Sequence, residues 1–331
     1  MRGDCPTAPV RLAELYAPIA SDLAASRRLL ADELISDQGF ISDLCRHVGQ
    51  FHGKLVRPAV LLLAAKACGE VRPAHHVLAA VVELVHIATL VHDDVLDEAD
   101  IRRRAATVNR LWGNHQAVLM GDFLYSHAFH LCSSLDSQFA ARLIGQTAVT
   151  VCEGEMMQVA RRGCYELTEA EYLDVIYRKT AVLVEACCQL GAYYAGAEPE
   201  TVQLLRTYGS SVGMAFQIAD DLLDLTGDES EVGKSLGRDV CERELTLPLI
   251  HYLTTAAPAA RDQLLALLRS TDPLRTRAIA TRLRDNPSLA YAQTVAREYI
   301  AAARQALTGL PPSAARDSLD ALASFVLARR Q

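Results

Sequence analysis

The amino-acid sequence predicts an all-α protein, and three observations lead to that prediction. Apolar residues recur at helical spacing through the first forty residues. Alanine and leucine dominate the rest of the chain, and glycine or proline clusters are confined to short loops. No stretch shows the alternation of apolar and polar residues that marks a half-buried strand. We therefore expect one helical domain over residues 1–331, although this length alone would favour two domains.

The composition excludes several classes of partner. The formal net charge of -7 argues against nucleic acid, because phosphate binding needs a basic surface. No run approaches the roughly 20 apolar residues of a membrane span, and the N-terminus lacks the apolar segment of a signal peptide. The nine cysteines have no metal-binding or disulfide spacing. These features predict a cytoplasmic protein.

A basic pair precedes an early apolar helix. Lys54 and Arg57 are three residues apart, so both can point the same way at the start of that helix. Free backbone N–H groups at a helix start also attract anions. A solvated pair whose stems cover apolar surface is the alternative. The helix is predicted to end at Gly69, a residue type that favours C-caps.

A long apolar helix that starts near Pro73 ends in an acidic motif. Asp93 and Asp97 are four residues apart and share one helical face, with Asp94 beside them. Like charges at this spacing repel, and oxygen ligands at this density suit a hard cation such as Mg2+. A solvated acidic face is the alternative. His86 lies two turns before Asp93 on the same face, about 10 Å away, and is therefore a candidate site residue. A histidine that is buried in the core with its hydrogen bonds made is the alternative.

The charge changes sign directly after this motif. Arg102, Arg103 and Arg104 follow within a few residues. Guanidinium groups there would bind phosphate oxygens in bidentate fashion, whereas a solvated surface run is the alternative. The next helix is predicted to begin at Gly121 and to contribute core residues that include Phe129.

Polar residues interrupt two helices in the middle of the chain. Glu155 and Gln158 are three residues apart, and they either orient a neighbouring ligand residue or form a satisfied polar pair. A Thr-x-x-Glu capping box opens a helix predicted over 168–195. Lys179 and Thr180 lie within its otherwise apolar sequence, which favours a phosphate contact.

The acidic motif occurs a second time near the middle of the chain. Asp220 and Asp224 are again four residues apart, with Asp221 between them and Gln217 three residues before Asp220. Two such motifs on separate helices can face each other across a cavity and clamp a diphosphate through shared Mg2+ ions. Two unrelated acidic helix ends are the alternative.

A polar loop follows the second motif. It contains three glycines and Lys234, and loops that close over a bound anion have this composition. An ordinary flexible connector is the alternative. From Thr246 onward the chain is predicted to be helical and chemically quiet, so this part is assigned to the scaffold.

With these motifs in this order, the chain resembles the trans-isoprenyl (polyprenyl) diphosphate synthases of the medium- and long-chain type. The resemblance covers almost the full length and rests on both Asp-Asp-x-x-Asp motifs, Gly53-Lys54-x-x-Arg57-Pro58, His86, Arg102-Arg103, Lys179-Thr180, Gln217 and Lys234. It implies an isoprenoid synthase-type helical bundle around a deep central cavity. The catalytic core would span about 40–255, with helices 256–331 as scaffold. A homodimer with three Mg2+ ions per substrate-bound active site is also implied.

The resemblance implies a role for each matching residue. The six aspartates would hold Mg2+ against the allylic diphosphate: Asp93, Asp94, Asp97, Asp220, Asp221 and Asp224. The allylic diphosphate would also contact Arg102, Lys179, Thr180, Gln217 and Lys234, and Lys179 would act in catalysis. Isopentenyl diphosphate would bind Lys54, Arg57, His86 and Arg103. The implied reaction is loss of the allylic diphosphate, attack by the isopentenyl double bond, and loss of a proton.

The chain departs from the family pattern at a few positions. His52 and Leu55 stand where Gly and Arg are common, and Arg243-Glu244 stands where many relatives have Gly-Lys. The missing lysine is expected to weaken allylic binding unless Arg243 compensates for it. The alternative functions are a short-chain (geranylgeranyl or farnesyl) diphosphate synthase, a terpene cyclase and a regulatory subunit. Both motifs are intact, which argues against the last two.

Product length is predicted from the helical turns that precede Asp93. Ala88 and Thr89 lie about one turn before it, where short-chain relatives carry Phe or Tyr, and Val85 and Val82 lie further down. Small side chains leave room for a growing apolar tail. Because each added unit buries more carbon, an open apolar path favours continued growth. We therefore expect a medium- or long-chain product, and the family resemblance implies about six to ten isoprene units made from farnesyl or geranylgeranyl diphosphate.

Overall fold

A computed structural model describes residues 12–51, 53–103, 105–227, 237–272 and 274–328. Nearly all of these residues lie in helices, so the all-α prediction is confirmed. The N-terminal residues on which the signal-peptide prediction rests lie outside the described residues.

The chain divides into two compact units. Unit 1 contains the described residues up to Ala148 together with Ala186–Leu205 and Leu310–Leu319. Unit 2 contains Val149–Glu185, Arg206–Gly309 and the described residues from Asp320 onward. One domain over 1–331, with a core at about 40–255 and a scaffold at 256–331, stays a prediction.

The described helices follow one another with short connections. In chain order they are α1 Leu12–Leu15, α2 Ala20–Glu33, α3 Gly39–Val48, α4 Val56–Cys68, α5 Pro73–Leu96, α6 Val108–Trp112, α7 Asn114–Ser133, α8 Phe139–Ala160, α9 Glu169–Ile176, α10 Val182–Ala195, α11 Pro199–Thr226, α12 Arg238–Cys241, α13 Leu247–Thr255, α14 Pro258–Arg269, α15 Arg275–Arg284, α16 Ser288–Leu307 and α17 Ala314–Ala328. Short 3-10 turns occupy Ala17–Ile19 and Gly49–Phe51, and a π-helical turn occupies Tyr177–Ala181. Unit 1 holds α1 to α7, unit 2 holds α9 and α12 to α16, and the remaining four helices contain residues of both.

Helix α5 forms the centre of unit 1. It begins at Pro73, which suits a helix start because proline lacks the N–H that would be unpaired there. Leu84, Ile87 and Val91 are fully buried, and the helix packs against α2, α4 and α7. By length and composition α5 could cross a membrane, but 67% of its most apolar window is buried inside the protein. A core helix passes the same test, so this is weak evidence for a membrane span.

Unit 2 has its own apolar core. Residues from α9, α11, α13, α14 and α16 meet in it, including Ile176, Ile218, Leu249 and Leu264. The capping box at the start of α9 is confirmed, because the Glu171 N–H donates to Thr168 Oγ1 at 3.3 Å and the Thr168 N–H donates to Glu171 Oε2 at 2.9 Å. The helix predicted over 168–195 is interrupted by the π-helical turn.

Two local predictions were wrong. Helix α7 begins at Asn114, with Gly121 in its interior. Phe129 is 42% exposed although Leu124 is fully buried, because five residues turn the side chain about 140° around the helix. The unpredicted hairpin of β1 Ile101–Arg102 and β2 Ala105–Ala106 has strands too short to show alternation.

Candidate active site

The first aspartate motif lies at the C-terminal end of α5. Asp94 is 1% exposed, whereas Asp93 and Asp97 are partly exposed. A helix C-terminus carries partial negative charge, so carboxylates there are electrostatically unfavourable. Asp94 offsets part of this cost by accepting a hydrogen bond from Arg102 Nε at 2.7 Å. The acidic charge concentrated at this helix end favours a bound cation.

The β1–β2 hairpin places two of the predicted phosphate ligands. Arg102 lies on β1 and pairs with Asp94. Arg103 lies in the turn with a φ of 49°, the left-handed conformation that tight hairpin turns require. Its Nη1 donates to the carbonyl oxygen of Phe51. A Cβ at position 53 would lie 2.5 Å from Arg103 Nη2, so Gly53 lets the guanidinium rest against this loop.

Arg57 and Arg103 interact electrostatically with His86, and both also interact with a buried carboxylate, Glu83. Burial holds the pKa of His86 well below 6.5, and the charges of Arg57 and Arg103 lower it further, so this imidazole is neutral at pH 7. Burial raises the pKa of Glu83, and Arg57 and Arg103 oppose that rise. The sequence reasoning missed Glu83. A single acid in an apolar helix, three residues before His86, was the available signal.

The loop before α4 carries Lys54. Its side chain is exposed, and its carbonyl oxygen accepts a hydrogen bond from Tyr16 Oη at 3.0 Å. Leu55 follows with a φ of 49°, and α4 starts at the next residue, so Arg57 lies in the first helical turn as predicted. Tyr16 therefore fixes the backbone of a predicted site loop, and no sequence pattern had singled it out.

The second aspartate motif lies at the C-terminal end of α11. Asp221 and Asp224 are 7% and 6% exposed, and Asp220 is partly exposed. The backbone N–H of Asp239 donates to Asp224 Oδ2 at 3.2 Å. Burial and the neighbouring aspartates raise the pKa of Asp239 well above 3.8. Asp239 therefore adds a fourth carboxylate to this acidic region, and it was not predicted.

Asp221 is held by two hydrogen bonds from side chains. Its Oδ2 accepts from Tyr172 Oη at 2.6 Å, and its Oδ1 accepts from Gln217 Nε2 at 2.8 Å. Gln217 Oε1 in turn accepts from Thr180 Oγ1 at 2.7 Å. Burial raises the pKa of Asp221 to about 7, although both donors oppose that rise. Three predicted site residues are thus directly connected, and Tyr172 is a further member that the sequence did not reveal.

Lys179 and Thr180 lie in the π-helical turn Tyr177–Ala181. Such turns are rare and occur often at functional sites, because they widen the helix locally. Lys179 Nζ lies 2.9 Å from Glu155 Oε2, so Glu155 orients a predicted ligand residue, which is one of its two predicted roles. A Cβ at position 154 would lie 2.9 Å from the Lys179 backbone nitrogen, so Gly154 allows α8 to approach this turn.

Glu244, which replaces the lysine of many relatives, is incorporated into an ion pair. Its Oε1 lies 2.9 Å from Arg162 Nε, and its Oε2 accepts a hydrogen bond from Gln158 Nε2. Burial raises the pKa of Glu244, and the charges of Arg162 and Lys179 oppose that rise. Arg243 has a φ of 61°, a conformation that favours the glycine common at this position. The weaker allylic binding expected here stays a prediction.

The carboxylates do not form a complete metal cage by themselves. Among the described residues, no group of three or more His, Cys, Asp or Glu side chains could hold a metal ion. Mg2+ is usually held by one or two carboxylates together with substrate phosphates and water. The oxygen-only donor set of each motif therefore fits Mg2+ bound jointly with a diphosphate. Lys234, His52 and Arg104 lie outside the described residues.

Comparisons with known proteins extend over most of the chain. Residues 38–283 match the family model described as polyprenyl synthetase. The octaprenyl diphosphate synthase of Escherichia coli is 40% identical over 239 residues, which are 72% of this chain and 74% of the relative. The all-trans-nonaprenyl-diphosphate synthase (geranyl-diphosphate specific) of Rhodobacter capsulatus is 36% identical over 319 residues, 96% and 98% of the two chains.

A solved structure shows the same fold. The polyprenyl synthase of Caulobacter crescentus, crystallised with calcium and isoprenyl diphosphate, superposes with a TM-score of 0.91. It is 33% identical in sequence, and the match covers 98% of this chain and all of that one. The likeness in fold is therefore as extensive as the likeness in sequence.

Proposed function

Because the chain belongs to the polyprenyl synthetase family and is a prenyltransferase, we propose that it condenses isopentenyl diphosphate with farnesyl or geranylgeranyl diphosphate. The proposed product is a medium- or long-chain all-trans polyprenyl diphosphate. The octaprenyl and nonaprenyl products in the names of two relatives support this length. One observation carries the proposal: Thr180, Gln217 and Asp221, which resemblance assigns to one diphosphate and its metal, are joined by hydrogen bonds.

The allylic diphosphate would bind at the two aspartate motifs. Mg2+ held there, proposed as three ions, would neutralise the departing diphosphate and so favour cleavage of the allylic C–O bond. The calcium in the Caulobacter crescentus enzyme supports a divalent ion. Asp94 accepts a hydrogen bond from Arg102 and Asp221 accepts one from Tyr172, so we assign both aspartates to orienting the motifs as well as to the metal. Arg102, Lys179 and Lys234 would supply positive charge to the same diphosphate.

Isopentenyl diphosphate would bind Lys54, Arg57, His86 and Arg103. Arg57 is partly exposed and Arg103 is exposed, so the guanidinium groups of both remain accessible to a ligand oxygen. Neutral His86 adds a hydrogen-bond donor without adding repulsion to the neighbouring guanidinium groups. Two guanidiniums and an ammonium are suited to a diphosphate because charge-assisted hydrogen bonds are the strong ones.

The chemistry needs no side-chain nucleophile. Once the allylic diphosphate has left, the isopentenyl double bond attacks the allylic cation and forms the new C–C bond. The proton lost from the adjacent carbon would pass to the released diphosphate. The residues of this chain contribute by holding both diphosphates so that the reacting carbons meet, and by stabilising the charge that leaves.

We also propose a homodimer in the cytoplasm, without a membrane span or a nucleic-acid partner. Val118, Leu119 and Phe129 on α7 are 43%, 66% and 42% exposed, which leaves apolar surface on this helix for a second copy. Sedimentation of the purified chain tests this proposal. A monomer at micromolar concentration would contradict it.

The decisive experiment uses the purified chain alone with labelled isopentenyl diphosphate, farnesyl diphosphate and Mg2+. Chromatography of the extracted lipid products is expected to show chains longer than geranylgeranyl diphosphate. A parallel reaction with EDTA should give no product. Absence of product with both farnesyl and geranylgeranyl diphosphate would contradict the proposal. A product no longer than twenty carbons would favour the short-chain alternative.

A further inference from the structure

One buried carboxylate interacts electrostatically with two arginines that are assigned to the site. Glu83 lies on α5 and is only 2% exposed. It interacts electrostatically with Arg57 and Arg103, and also with Tyr16, whose hydroxyl donates to the carbonyl of Lys54. Neither the aspartate motifs nor the phosphate ligands inferred from the sequence include this residue. These electrostatic interactions nevertheless involve the helix start that carries Arg57 and the hairpin turn that carries Arg103.

Burying a lone carboxylate is unfavourable unless positive charge compensates for it. Burial raises the pKa of Glu83, and the two arginines are the groups that favour its charged form. The benefit is mutual, because burial lowers the pKa of both Arg57 and Arg103 and the Glu83 charge opposes that effect. Without the carboxylate, two partly desolvated guanidiniums would repel each other before any substrate arrived.

The arginines themselves are placed so that an anion can reach them, because Arg103 is exposed and Arg57 is partly exposed. Arg103 is anchored through Nη1 to the Phe51 carbonyl and rests against Gly53. Arg102 differs, because Asp94 pairs with it directly at 2.7 Å. An exposed countercharge paired with the arginines would compete with substrate, whereas the buried Glu83 is shielded from it.

We propose that Glu83 is a positioning residue for isopentenyl diphosphate: a buried countercharge that keeps Arg57 and Arg103 together at the site without touching the substrate. This inference rests on the proposed function, in which these arginines bind that diphosphate. Glu83 thereby determines how well the second substrate binds, and the allylic substrate is unaffected.

The test is the Glu83→Gln variant, which keeps the shape and removes the charge. The apparent KM for isopentenyl diphosphate is expected to rise about tenfold, the scale of one lost charged interaction. The KM for farnesyl diphosphate and kcat should stay within about twofold. Glu83→Asp, which keeps the charge one methylene further away, should show a smaller rise in the same KM. If Glu83→Gln does not fold, Glu83→Asp is measured alone, and an unchanged KM then overturns the proposal.

Glu185→Gln is the matched control. Glu185 is also a buried glutamate, 7% exposed, and it pairs with Arg206 at 2.5 Å, a residue with no assigned role in the site. Its loss should lower stability while leaving the KM for isopentenyl diphosphate unchanged. Equal effects of Glu83→Gln on both substrates, without rescue by aspartate, would show a merely structural role and overturn the proposal.

Arg57→Ala separates this inference from the function on which it rests. If Arg57→Ala raises the KM for isopentenyl diphosphate and Glu83→Gln does not, the positioning role is wrong and the substrate site stands. If neither variant changes that KM, the substrate assignment fails and the positioning role fails with it.

Discussion

The stability of the metal-free protein is expected to fall as the pH rises from 5 to 8, and Asp221 is a main cause. Burial raises the pKa of Asp221 from 3.8 to about 7. The folded protein therefore keeps a proton that the unfolded chain has already released. A carboxyl group whose pKa is raised on folding stabilises the fold fully below its unfolded pKa. That contribution is lost as the pH rises through the folded value.

The size of the effect follows from the pKa difference. Each pKa unit corresponds to about 1.4 kcal/mol, so a shift of about three units is worth at most about 4 kcal/mol. Roughly 2–3 kcal/mol of this falls between pH 5 and pH 8. Asp239 and Glu244, whose pKa values burial also raises, act in the same direction. His86, whose pKa burial lowers, acts in the opposite direction up to its unfolded pKa.

The assay is urea unfolding in EDTA, followed by far-UV circular dichroism at several pH values, for wild type and Asp221→Asn. The comparison cancels the contributions of the other titrating groups. The unfolding free energy of the variant should fall by roughly 2 kcal/mol less than that of wild type between pH 5 and pH 8. Mg2+ with pyrophosphate should reduce the fall in the wild-type unfolding free energy between pH 5 and pH 8, because a bound cation favours the charged carboxylate. The same dependence of unfolding free energy on pH in both proteins without metal would refute the reasoning.

Three further predictions concern catalysis and product. Asp93→Ala or Asp220→Ala is expected to lower turnover at saturating Mg2+ by about 100-fold or more with unchanged circular dichroism, the scale of losing a major electrostatic stabiliser; near-normal turnover would contradict the metal roles. Arg57→Ala should raise chiefly the KM for isopentenyl diphosphate and Lys179→Ala chiefly that for the allylic substrate. Each rise should be about ten- to a hundredfold, because a charge-assisted contact is worth roughly 1.5–3 kcal/mol, and steady-state kinetics showing the reverse dependence would overturn the assignment. Ala88 is fully buried about one turn before the first motif, so Ala88→Phe should shorten the product seen by chromatography; an unchanged product, or a wild type that stops at farnesyl diphosphate, would contradict the prediction that small side chains here leave room for a growing apolar tail.

Local signals predicted most of the fold. Pro73 at a helix start and the Thr168–Glu171 capping box lie where the structure has helix starts, because both act through backbone groups within one turn. The two aspartate motifs were likewise visible from spacing alone. Their charges oppose the partial charge of the helix ends that carry them, a conflict between local and global preference that is expected at a functional site.

Contacts between distant segments could not be predicted. Tyr172 donates to Asp221 across 49 positions of sequence, and an isolated tyrosine in an amphipathic helix carries no sign of its partner. Glu83 was visible as a lone acid, but its meaning depends on Arg103, which a two-residue hairpin brings near. The ion pair of Glu244 with Arg162 depends in the same way on tertiary packing.

The π-helical turn has a consequence for how the chain is aligned and engineered. A π-helical turn accommodates one residue more than an α-helical turn, so the residues after Ala181 are rotated by about 100° relative to an uninterrupted helix. Deleting Arg178 would leave a continuous α-helix with almost unchanged helical content. The deletion would also remove the widened turn that now contains Lys179 and Thr180, so the direction of both side chains would change. Loss of one residue here is therefore expected to disrupt the hydrogen bond from Thr180 to Gln217 even when Lys179 and Thr180 are both retained.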